Sequence, residues 1–371
     1  METPSGAFLM RAVWGLPMLA SAAKRQEACS NTMDRQRRRM LSMALATGAW
    51  LSCPSLAAAA PEPRQVTVAL TARNSLYHLP LVLAERLGYL RQQSLQVNLV
   101  SHESGAAGVA SVLQGKADVL AGAFEHLFEL QYKGHFFQAF AQMNATPMLS
   151  LGVATGRVAP RSWQDIKGAR IGVSALESST HWMTSLWLLR HGLQPQDVQF
   201  VEVGTSASAL GALWEGQVDA LCNPDPVMHW LEQRGEIRLI SEARTLSGVQ
   251  QMAGGVLPGG CLMAREEFLS RHPQVAMVLA SGVVQALRWL QTAGPTDLFK
   301  TVPVAPWIGD RAVYLGALNK LRDAYARDGQ IQEEAVFNAW RTHARVASHA
   351  PSHRHLLART FTNAFVARAK G

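Results

Sequence analysis

Hydrophobic and polar positions follow two different periods from residue 66 onward. Short apolar runs rich in Val and Leu are typical of strands, and apolar residues three or four positions apart are typical of helices. In the first stretch these patterns predict strands over 66–70, 95–100 and 117–122 and helices over 79–90, 105–114 and 124–134. Such alternation indicates a mostly parallel sheet with helices on both faces.

A second stretch repeats the same alternation. Strands are predicted over 169–173, 198–203, 218–222 and 237–240, and helices over 179–191, 206–216 and 226–235. From Glu266 to the C-terminus the pattern predicts successive helices, interrupted near the prolines between 295 and 306 and at Pro351. The fold class is therefore α/β, with two lobes of mostly parallel sheet flanked by helices and a C-terminal helical region.

The two stretches also share a local motif. Residues 114–119 read QGKADV and residues 215–220 read EGQVDA. Each places Gly at the end of a helix, where a left-handed turn favours a residue without Cβ, and Asp just before a buried strand. This repeat supports two lobes built on one plan.

Composition excludes several classes of protein. The chain has 371 residues, 48% of them hydrophobic and 17% charged, which is typical of a globular protein long enough for two domains. The formal charge is +8, but residues 1–60 hold seven basic and three acidic residues, which leaves 28 basic and 24 acidic residues in the rest. Nucleic-acid binding needs clustered phosphate contacts, and no dense basic tract follows residue 60, so we expect no nucleic-acid partner.

Residues 1–60 have the order of an export leader. A basic segment that includes residues 37–39, RRR, is followed by an apolar run over 40–50 and by small residues that end at Ala60. That order is typical of a removable signal, and the apolar run is shorter than the ~20 residues needed to span a bilayer. We predict an upstream extension over 1–32, cleavage after Ala59 or Ala60, and a periplasmic location.

Two export routes fit this leader. Residues 37–41, RRRML, resemble the twin-arginine motif, with Met40 where Phe is common and Ser42 where Lys often follows. An ordinary Sec leader is the alternative, so the expected export partner is the twin-arginine or the Sec machinery. Cys53 is a weaker candidate for lipoprotein anchoring, because Trp50 stands where that motif has Leu.

Removal of the leader leaves two cysteines, Cys222 and Cys261. They lie far apart in sequence and lack the spacing of metal ligands. In an oxidising compartment they could pair, but two buried free thiols are the favoured interpretation.

Several segments, taken in order, resemble a known family. Residues 78–90, HLPLVLAERLGYL, match an apolar P-L-x-x-A-x-x-x-G-(F/Y)-(F/L) helix that precedes a strand. The segments that follow in the same order are 94–99, 114–118, 166–173 and 216–220. Over about residues 66–260 the chain resembles the nitrate/sulfonate/taurine-type substrate-binding proteins of ABC importers, and the C-terminal third is similar only in its helical character.

The resemblance implies a type II periplasmic-binding-protein fold with a ligand in the cleft between two lobes. Lobe I would comprise 61–152 and 253–371, and lobe II would comprise 153–252. The implied function is the solute-binding component of an ABC importer, with a small-molecule ligand and a membrane permease as partners. We expect a monomer that is not an enzyme and carries no cofactor.

In lobe I the loops after the three strands are the expected ligand site, because strand carboxyl ends and helix N-termini form the crevice of open α/β sheets. Hydroxyl, amide and ring groups there can donate to or stack on a ligand, and simple helix capping or core packing is the alternative for each. The candidates are Asn74, Ser75, Tyr77, His78, Ser104, Gly105, Phe124 and Glu125.

In lobe II the candidates are Ser178, Ser179, Thr180, His181 and Asp225. Three consecutive hydroxyl residues at a predicted helix start can donate to an oxyanion, or can simply cap that helix. Asp225 resembles the family's acidic residue before Pro near the cleft, where it contacts ligand or braces the hinge.

No catalytic or metal-binding residue is predicted. The sequence contains no GxSxG, HExxH or P-loop motif and no metal-spaced Cys/His set. The enzymatic alternative is a pyrimidine synthase that shares this fold. The resemblance implies that such a synthase has a Cys-rich motif and a pyridoxal-binding Lys. The two cysteines that remain in this chain after the leader form no such cluster. A periplasmic sensor module is a further alternative.

The ligand class stays open between two kinds of molecule. The hydroxyl-rich helix starts favour a small organic anion such as a sulfonate or an aromatic carboxylate. Glu125, Asp225 and the aromatic candidates favour an amine or a heterocycle, including a thiamine-precursor pyrimidine. We expect the organic anion.

Overall fold

A computed structural model describes residues 65–156, 162–347 and 354–369. The predicted leader over 1–60, its export motif and Cys53 lie outside these residues. Among the residues described, no helix is long and apolar enough to cross a membrane.

The first sheet has five strands in the order β2-β1-β3-β10-β4. These strands are β1 Gln65–Leu70, β2 Gln96–Ser101, β3 Val119–Ala123, β4 Phe137–Gln142 and β10 Gly260–Arg265. Strand β1 pairs in parallel with β2 and β3, whereas β10 lies antiparallel between β3 and β4. Strand β10 therefore joins this sheet from a distant part of the chain and lies between two strands that precede it in sequence.

The second sheet repeats this plan in the order β7-β6-β8-β5-β9. Its strands are β5 Leu149–Ala154, β6 Arg170–Val173, β7 Gln199–Glu202, β8 Ala220–Pro224 and β9 Ile237–Glu242. Strand β6 pairs in parallel with β7 and β8, and β5 lies antiparallel between β8 and β9. The boundary predicted at residue 152 falls inside β5, which belongs to this second sheet.

The two-lobed α/β fold class is confirmed, and both sheets are mixed. Each contains a parallel half, as the alternating pattern predicts, and an antiparallel half made by a strand that returns from the other lobe. The sequence patterns missed β4, β5 and β10. Most residues of these strands are buried on both faces, so no alternation of polar and apolar positions marks them.

Helices cover both sheets and form the C-terminal region. Their bounds are Leu79–Arg86, Gly105–Leu113, His126–Tyr132, Ser179–Arg190, Ala207–Trp214, Val227–Gln233, Leu246–Ala253, Glu266–Arg271, Pro273–Thr292, Pro295–Thr301, Arg311–Leu321 and Glu333–Val346. The longest, Pro273–Thr292, begins with a Pro at its first position, where the missing N–H costs no hydrogen bond, and buries eleven residues against lobe I. Short 3-10 helices link several of these elements.

The shared motif has the same role in both lobes. The carboxylate of Asp118 accepts a hydrogen bond from the backbone N–H of Thr67 at 2.9 Å. In lobe II the carboxylate of Asp219 accepts one from the N–H of Arg170 at 2.8 Å. Each Asp thus satisfies a backbone N–H near the start of β1 or β6, which hold the same place in their two sheets, and this is the physical basis of the sequence repeat.

Two tyrosines of the C-terminal helical region donate hydrogen bonds to the loop that follows β1. The hydroxyl of Tyr314 donates to the carbonyl of Asn74 at 2.9 Å, and the hydroxyl of Tyr325 donates to the carbonyl of Leu76 at 2.8 Å. Both tyrosines are buried. The C-terminal helical region therefore fixes the backbone of the loop that follows β1.

Candidate functional site

A narrow cavity lies where the carboxyl ends of β1 and β3 face the carboxyl ends of β6 and β8. We call it the inner cavity. It is lined from lobe I by Thr71, Tyr77, His78, Gly105, Gly122, Ala123 and His126, and from the second sheet and its loops by Leu149, Ser174, Ser179, Thr180, Thr205 and Pro224. It is the crevice that an open α/β sheet provides for a small molecule.

The loop after β1 brings two aromatic residues into this cavity. Ser75 caps the 3-10 helix Leu76–His78 by accepting from the N–H of Tyr77, and its own hydroxyl donates to the carbonyl of Asp225 at 3.2 Å. Tyr77 is 8% exposed, and its hydroxyl has no hydrogen-bond partner among the described residues. Burial and the nearby Glu125 and Cys261 raise the pKa of Tyr77 well above its usual value, so this hydroxyl is a donor at neutral pH.

His78 presents a second unpaired donor. Its Nε2 accepts from the N–H of Thr71 at 3.3 Å and bonds the Thr71 hydroxyl at 2.7 Å. Burial lowers the pKa of His78 to about 3, so the ring is neutral at pH 7. Since Nε2 acts as acceptor, the proton resides on Nδ1, which is buried and has no partner among the described residues.

The start of helix Gly105–Leu113 meets His126 at the cavity wall. A Cβ on Gly105 would lie 2.7 Å from Nε2 of His126, so only glycine allows this approach. That Nε2 is buried and also lacks a partner among the described residues, and burial lowers the pKa of His126 to about 4. Ser104, in contrast, caps its helix by accepting from the N–H of Ala107 at 3.2 Å and does not line the cavity.

Glu125 and Phe124 do not line the inner cavity. Glu125 is half-buried, and burial raises its pKa from 4.5 to about 7. Its charge also raises the pKa of Tyr77 and of Cys261, which places it near both. Phe124 is fully buried and packs edge-on against Phe128, so its ring belongs to the core.

Lobe II contributes a cluster of hydroxyl groups. The Ser174 and Ser178 hydroxyls are 2.9 Å apart, Ser178 and Thr180 are 2.8 Å apart, and Ser174 and Thr180 are 2.9 Å apart. The hydroxyl of Ser178, at the N-cap of helix Ser179–Arg190, donates to the carbonyl of Ala175 instead of capping the helix. The first N–H groups of this helix therefore have no side-chain cap from Ser178 and start at the cavity.

Two lobe II candidates face away from the inner cavity. The Nδ1 of His181 accepts from the N–H of Glu177 at 3.2 Å, and its ring packs edge-on against Phe200. The carboxylate of Asp225 accepts from the N–H of His229 at 2.8 Å and lies 3.5 Å from the guanidinium of Arg244. Asp225 thus braces the junction between the lobes, and only its backbone carbonyl reaches toward the site loop.

The structure brings together Tyr77, His78, Gly105, Ser179 and Thr180 from the sequence candidates. Asn74 and Ser75 line a neighbouring cavity. Sequence reasoning missed Thr71, His126, Ser174 and Thr205 as lining residues. The available signal was position, since each follows a strand at its carboxyl end, but many polar residues share that property.

Charge in the inner cavity is nearly absent. Among the described residues that line it, none is lysine, arginine, aspartate or glutamate. The described residues also contain no group of three or more His, Cys, Asp and Glu side chains placed to hold a metal ion. The cavity therefore offers neutral hydrogen-bond donors and a helix N-terminus.

Both described cysteines are buried free thiols. Burial raises the pKa of Cys222 to about 12 and raises that of Cys261 as well, through burial first and then the charge of Glu125. Neither cysteine lines the inner cavity, and neither thiol is ionised at neutral pH.

Comparison with known proteins places this geometry in context. A structure from Bordetella bronchiseptica RB50 is 36% identical, with a TM-score of 0.79, and the match covers 83% of this chain and 97% of that one. The alkanesulfonate-binding protein SsuA from Xanthomonas axonopodis pv. citri, bound to MOPS, is 21% identical with a TM-score of 0.66 over 82% of this chain and 99% of that one. These neighbours confirm the periplasmic-binding-protein fold.

A curated relative carries the name of an enzyme. It is the 4-amino-5-hydroxymethyl-2-methylpyrimidine phosphate synthase of Schizosaccharomyces pombe, 25% identical over 53% of this chain. The match spans only 57% of the length of that relative. Residues 75–291, more than half of the chain, match the family described as NMT1/THI5 like. The chain belongs to the NMT1/THI5-like family.

Proposed function

We propose that this protein is the periplasmic solute-binding component of an ABC importer and that it captures a small organic anion in the inner cavity. The observation that carries the proposal is a pair of buried donors, the Tyr77 hydroxyl and His78 Nδ1–H, which have no partner among the described residues. They line the same cavity as the start of helix Ser179–Arg190. Buried polar groups are normally paired, so unpaired donors in a cavity favour a ligand that pairs them.

An anion fits these groups without a cationic side chain. The helix start carries a partial positive charge and free N–H groups, and the hydroxyls of Ser179 and Thr180 lie beside it. Tyr77 and His78 supply donors from the opposite lobe. An oxyanion held from both sides would stabilise the closed arrangement of the lobes, which is the state an importer accepts.

The same features favour binding over catalysis. Both described thiols are buried with raised pKa, which makes them poor nucleophiles. His78 and His126 are held neutral with strongly lowered pKa, far from the range of a general base at neutral pH. The named solved neighbour with a stated ligand, SsuA, is a binding protein.

A ligand screen tests the proposal. Binding to the native state alone raises the melting temperature by an amount set by RT ln(1 + [L]/Kd). We expect an alkanesulfonate or an aromatic carboxylate to raise it, with an affinity confirmed by calorimetry. The proposal fails if no anion on the panel shifts the melting temperature while the protein turns over a substrate.

A second candidate ligand is an aminopyrimidine. The family match and the name of the curated relative favour it, as does Glu125, whose pKa of about 7 lets the carboxyl group either donate to or accept from a heterocycle. The panel therefore includes 4-amino-5-hydroxymethyl-2-methylpyrimidine and its phosphate. Preference for the free pyrimidine over every sulfonate and carboxylate would replace the organic anion with this alternative.

Export and assembly have separate tests. Residues 37–39 would direct export, so replacing Arg37 and Arg38 with Lys should retain the protein in the cytoplasm if the twin-arginine route is used, and should leave export unchanged if Sec is used. Size-exclusion chromatography with light scattering should give the mass of a monomer. Co-purification with a membrane permease in the presence of ligand would support the importer role.

A further inference from the structure

Thr71 is the first residue after strand β1, and it lines the inner cavity. The carbonyl of Leu70, the last residue of β1, accepts a hydrogen bond from the N–H of His102 beside it in the sheet at 2.8 Å. The N–H of Thr71 donates instead to Nε2 of His78 at 3.3 Å. At the end of β1 the backbone therefore pairs with a side chain of the site rather than with a neighbouring strand.

The side chain of Thr71 contacts the same ring nitrogen. Its hydroxyl lies 2.7 Å from Nε2 of His78, which makes it the shorter of the two hydrogen bonds. A backbone N–H can only donate, so Nε2 must present its lone pair to Thr71, and the hydroxyl donates to it as well. The opposite tautomer would place an N–H on Nε2 against the N–H of Thr71, with two donors facing each other.

The position of this proton decides what His78 presents at its other nitrogen. Burial lowers the pKa of His78 to about 3, so at pH 7 the ring carries one proton. With the lone pair on Nε2, that proton is on Nδ1, which is buried and has no partner among the described residues. The opposite tautomer would leave a lone pair on Nδ1 instead of a donor.

This choice of tautomer matters because the cavity has no cationic side chain to attract an anion. Among the described residues that line it, none is lysine or arginine. The oxygen atoms of a sulfonate or a carboxylate only accept hydrogen bonds. They can pair with an N–H on Nδ1, whereas a lone pair there would repel them.

We propose that Thr71 is a positioning residue that fixes His78 in the tautomer with the proton on Nδ1 and thereby makes the inner cavity select for hydrogen-bond acceptors. Thr71 acts through His78 and requires no contact with the ligand. The selectivity rests on the proposed function, because it concerns the ligand bound there. The tautomer itself is a property of the ligand-free protein and can be measured without any ligand.

NMR of the ligand-free protein, labelled with nitrogen-15 in its histidines, tests the tautomer at pH 7. Correlations between ring protons and ring nitrogens distinguish a protonated nitrogen from one with a lone pair, and His78→Gln identifies the signals of His78. In the wild type, Nδ1 should be protonated and Nε2 should carry the lone pair. A protonated Nε2 in the wild type would overturn the proposal, whatever the variants show.

Thr71→Val removes the hydroxyl and keeps the branched shape of the side chain. The remaining contact from the backbone N–H is long for a hydrogen bond, so the Nε2 signal should move toward that of a protonated nitrogen. Thr71→Ser restores a hydroxyl and should restore the wild-type pattern. Thr205→Val is the matched control, because Thr205 also lines the cavity but bonds neither ring nitrogen of His78 among the described residues, and its pattern should match the wild type. An unchanged pattern in Thr71→Val would show that the side chain does not fix the tautomer.

Calorimetry with butane-1-sulfonate, butane-1-sulfonamide and benzoate tests the selectivity. The sulfonamide has the same chain and carries N–H donors where the sulfonate has an oxygen. Thr71→Val should weaken binding of the two anions by about two- to tenfold, the range of one hydrogen bond, and should reduce the preference for sulfonate over sulfonamide, while Thr71→Ser retains both. Unchanged anion affinity in Thr71→Val would overturn the selectivity assigned to Thr71. Failure of both anions to bind the wild type, with the expected tautomer present, would instead count against the proposed function.

Discussion

At the scale of single residues, three unpaired polar atoms belong to side chains that line the inner cavity. The Tyr77 hydroxyl, His78 Nδ1 and His126 Nε2 are buried without partners among the described residues. Leaving such groups unpaired costs about 1–3 kcal/mol each. Because these three side chains line a cavity, their free groups are available to pair with a ligand.

Tyr77→Phe should separate stability from binding. Removing an unpaired buried hydroxyl should raise the free energy of unfolding of the ligand-free protein by about 1 kcal/mol, while loss of a hydrogen bond to an anion should weaken binding by about tenfold or more. The matched control is Tyr325→Phe, whose hydroxyl is paired with the carbonyl of Leu76. The free energy of unfolding of the Tyr325→Phe variant should fall by about 1 kcal/mol. Urea titration and calorimetry measure both quantities, and a Tyr77→Phe variant with unchanged affinity would contradict the assigned role.

Glu125 should make stability depend on pH in a defined window. Its pKa is raised from 4.5 to about 7 in the folded protein, so the folded state holds a proton that the unfolded state has released. Stability from this group is complete below the unfolded pKa and is lost as pH rises through the folded pKa. Glu125→Gln mimics the protonated acid. Its stability relative to wild type should therefore increase between about pH 4.5 and about pH 7, and the difference between the two proteins should stay constant above about pH 7. A flat difference across that window, measured by urea titration, would be inconsistent with the raised pKa.

The affinity for an anion should follow the same titration. Ionised Glu125 lies near Tyr77 and opposes a negative ligand, so affinity should fall as pH rises through about 7. Calorimetry across this range measures the effect, and Glu125→Gln should abolish it. An anion should show this fall in affinity, whereas a neutral pyrimidine that donates to Glu125 should bind more tightly at high pH.

At the scale of elements, two helix starts meet at the inner cavity and differ in their capping. Helix Gly105–Leu113 is capped by Ser104, while the Ser178 hydroxyl at the start of helix Ser179–Arg190 is engaged with Ala175 and other hydroxyls. The second start therefore keeps its N–H groups for a ligand. The first contributes close packing instead, through the contact between Gly105 and His126.

Gly105→Ala should test that packing. A Cβ at 105 would lie 2.7 Å from His126 Nε2, so the imidazole must move and ligand affinity should fall by about tenfold. Gly211→Ala is the matched control, because Gly211 is also helical and a Cβ there meets nothing within 4 Å. It should raise the free energy of unfolding by about 0.5–1 kcal/mol without changing affinity. Equal affinities of the two variants would show that His126 does not shape the site.

At the scale of the whole molecule, a buried charge network joins the lobes next to the site. Arg244 is 1% exposed and contacts the carboxylates of Asp225, Glu232 and Glu242. The backbone carbonyl of Asp225 accepts from the N–H of Leu76 in lobe I. The network therefore holds lobe II against the loop that carries Tyr77 and His78.

Arg244→Leu should be strongly destabilising. It leaves the buried Asp225 without its cation, and breaking one side of a buried ion pair costs about 3 kcal/mol or more. Burial raises the pKa of Asp225 and Arg244 lowers it, so loss of Arg244 should raise this pKa further and the loss of stability should grow as pH rises and the carboxyl group ionises. The control is Arg170→Leu, which breaks a solvent-screened pair with Asp219 and should destabilise the protein much less. Similar losses in both variants, measured by urea titration, would contradict a special role for Arg244.

Elements with a strong local period were predictable, and the site was predictable only in part. Helix Ser179–Arg190 and strand β1 show clear periodicity, whereas β10 is buried on both faces and pairs with strands more than a hundred residues earlier. Likewise, the hydroxyl cluster at 178–180 is visible in sequence, but the orientation of His181 toward Phe200 depends on a distant strand. Local patterns cannot specify such partners.

The sequence by itself determined the repeated α/β plan and the helix and strand periods, because each depends on near neighbours in the chain or on a period along it. Tertiary structure alone decided which polar side chains near the cleft are satisfied and which remain free. The Ser75 hydroxyl found a partner in the carbonyl of Asp225, while the Tyr77 hydroxyl and His78 Nδ1 found none among the described residues. The reason is physical: hydrogen-bond pairing of a buried side chain depends on groups brought close by the fold, and these lie on different lobes.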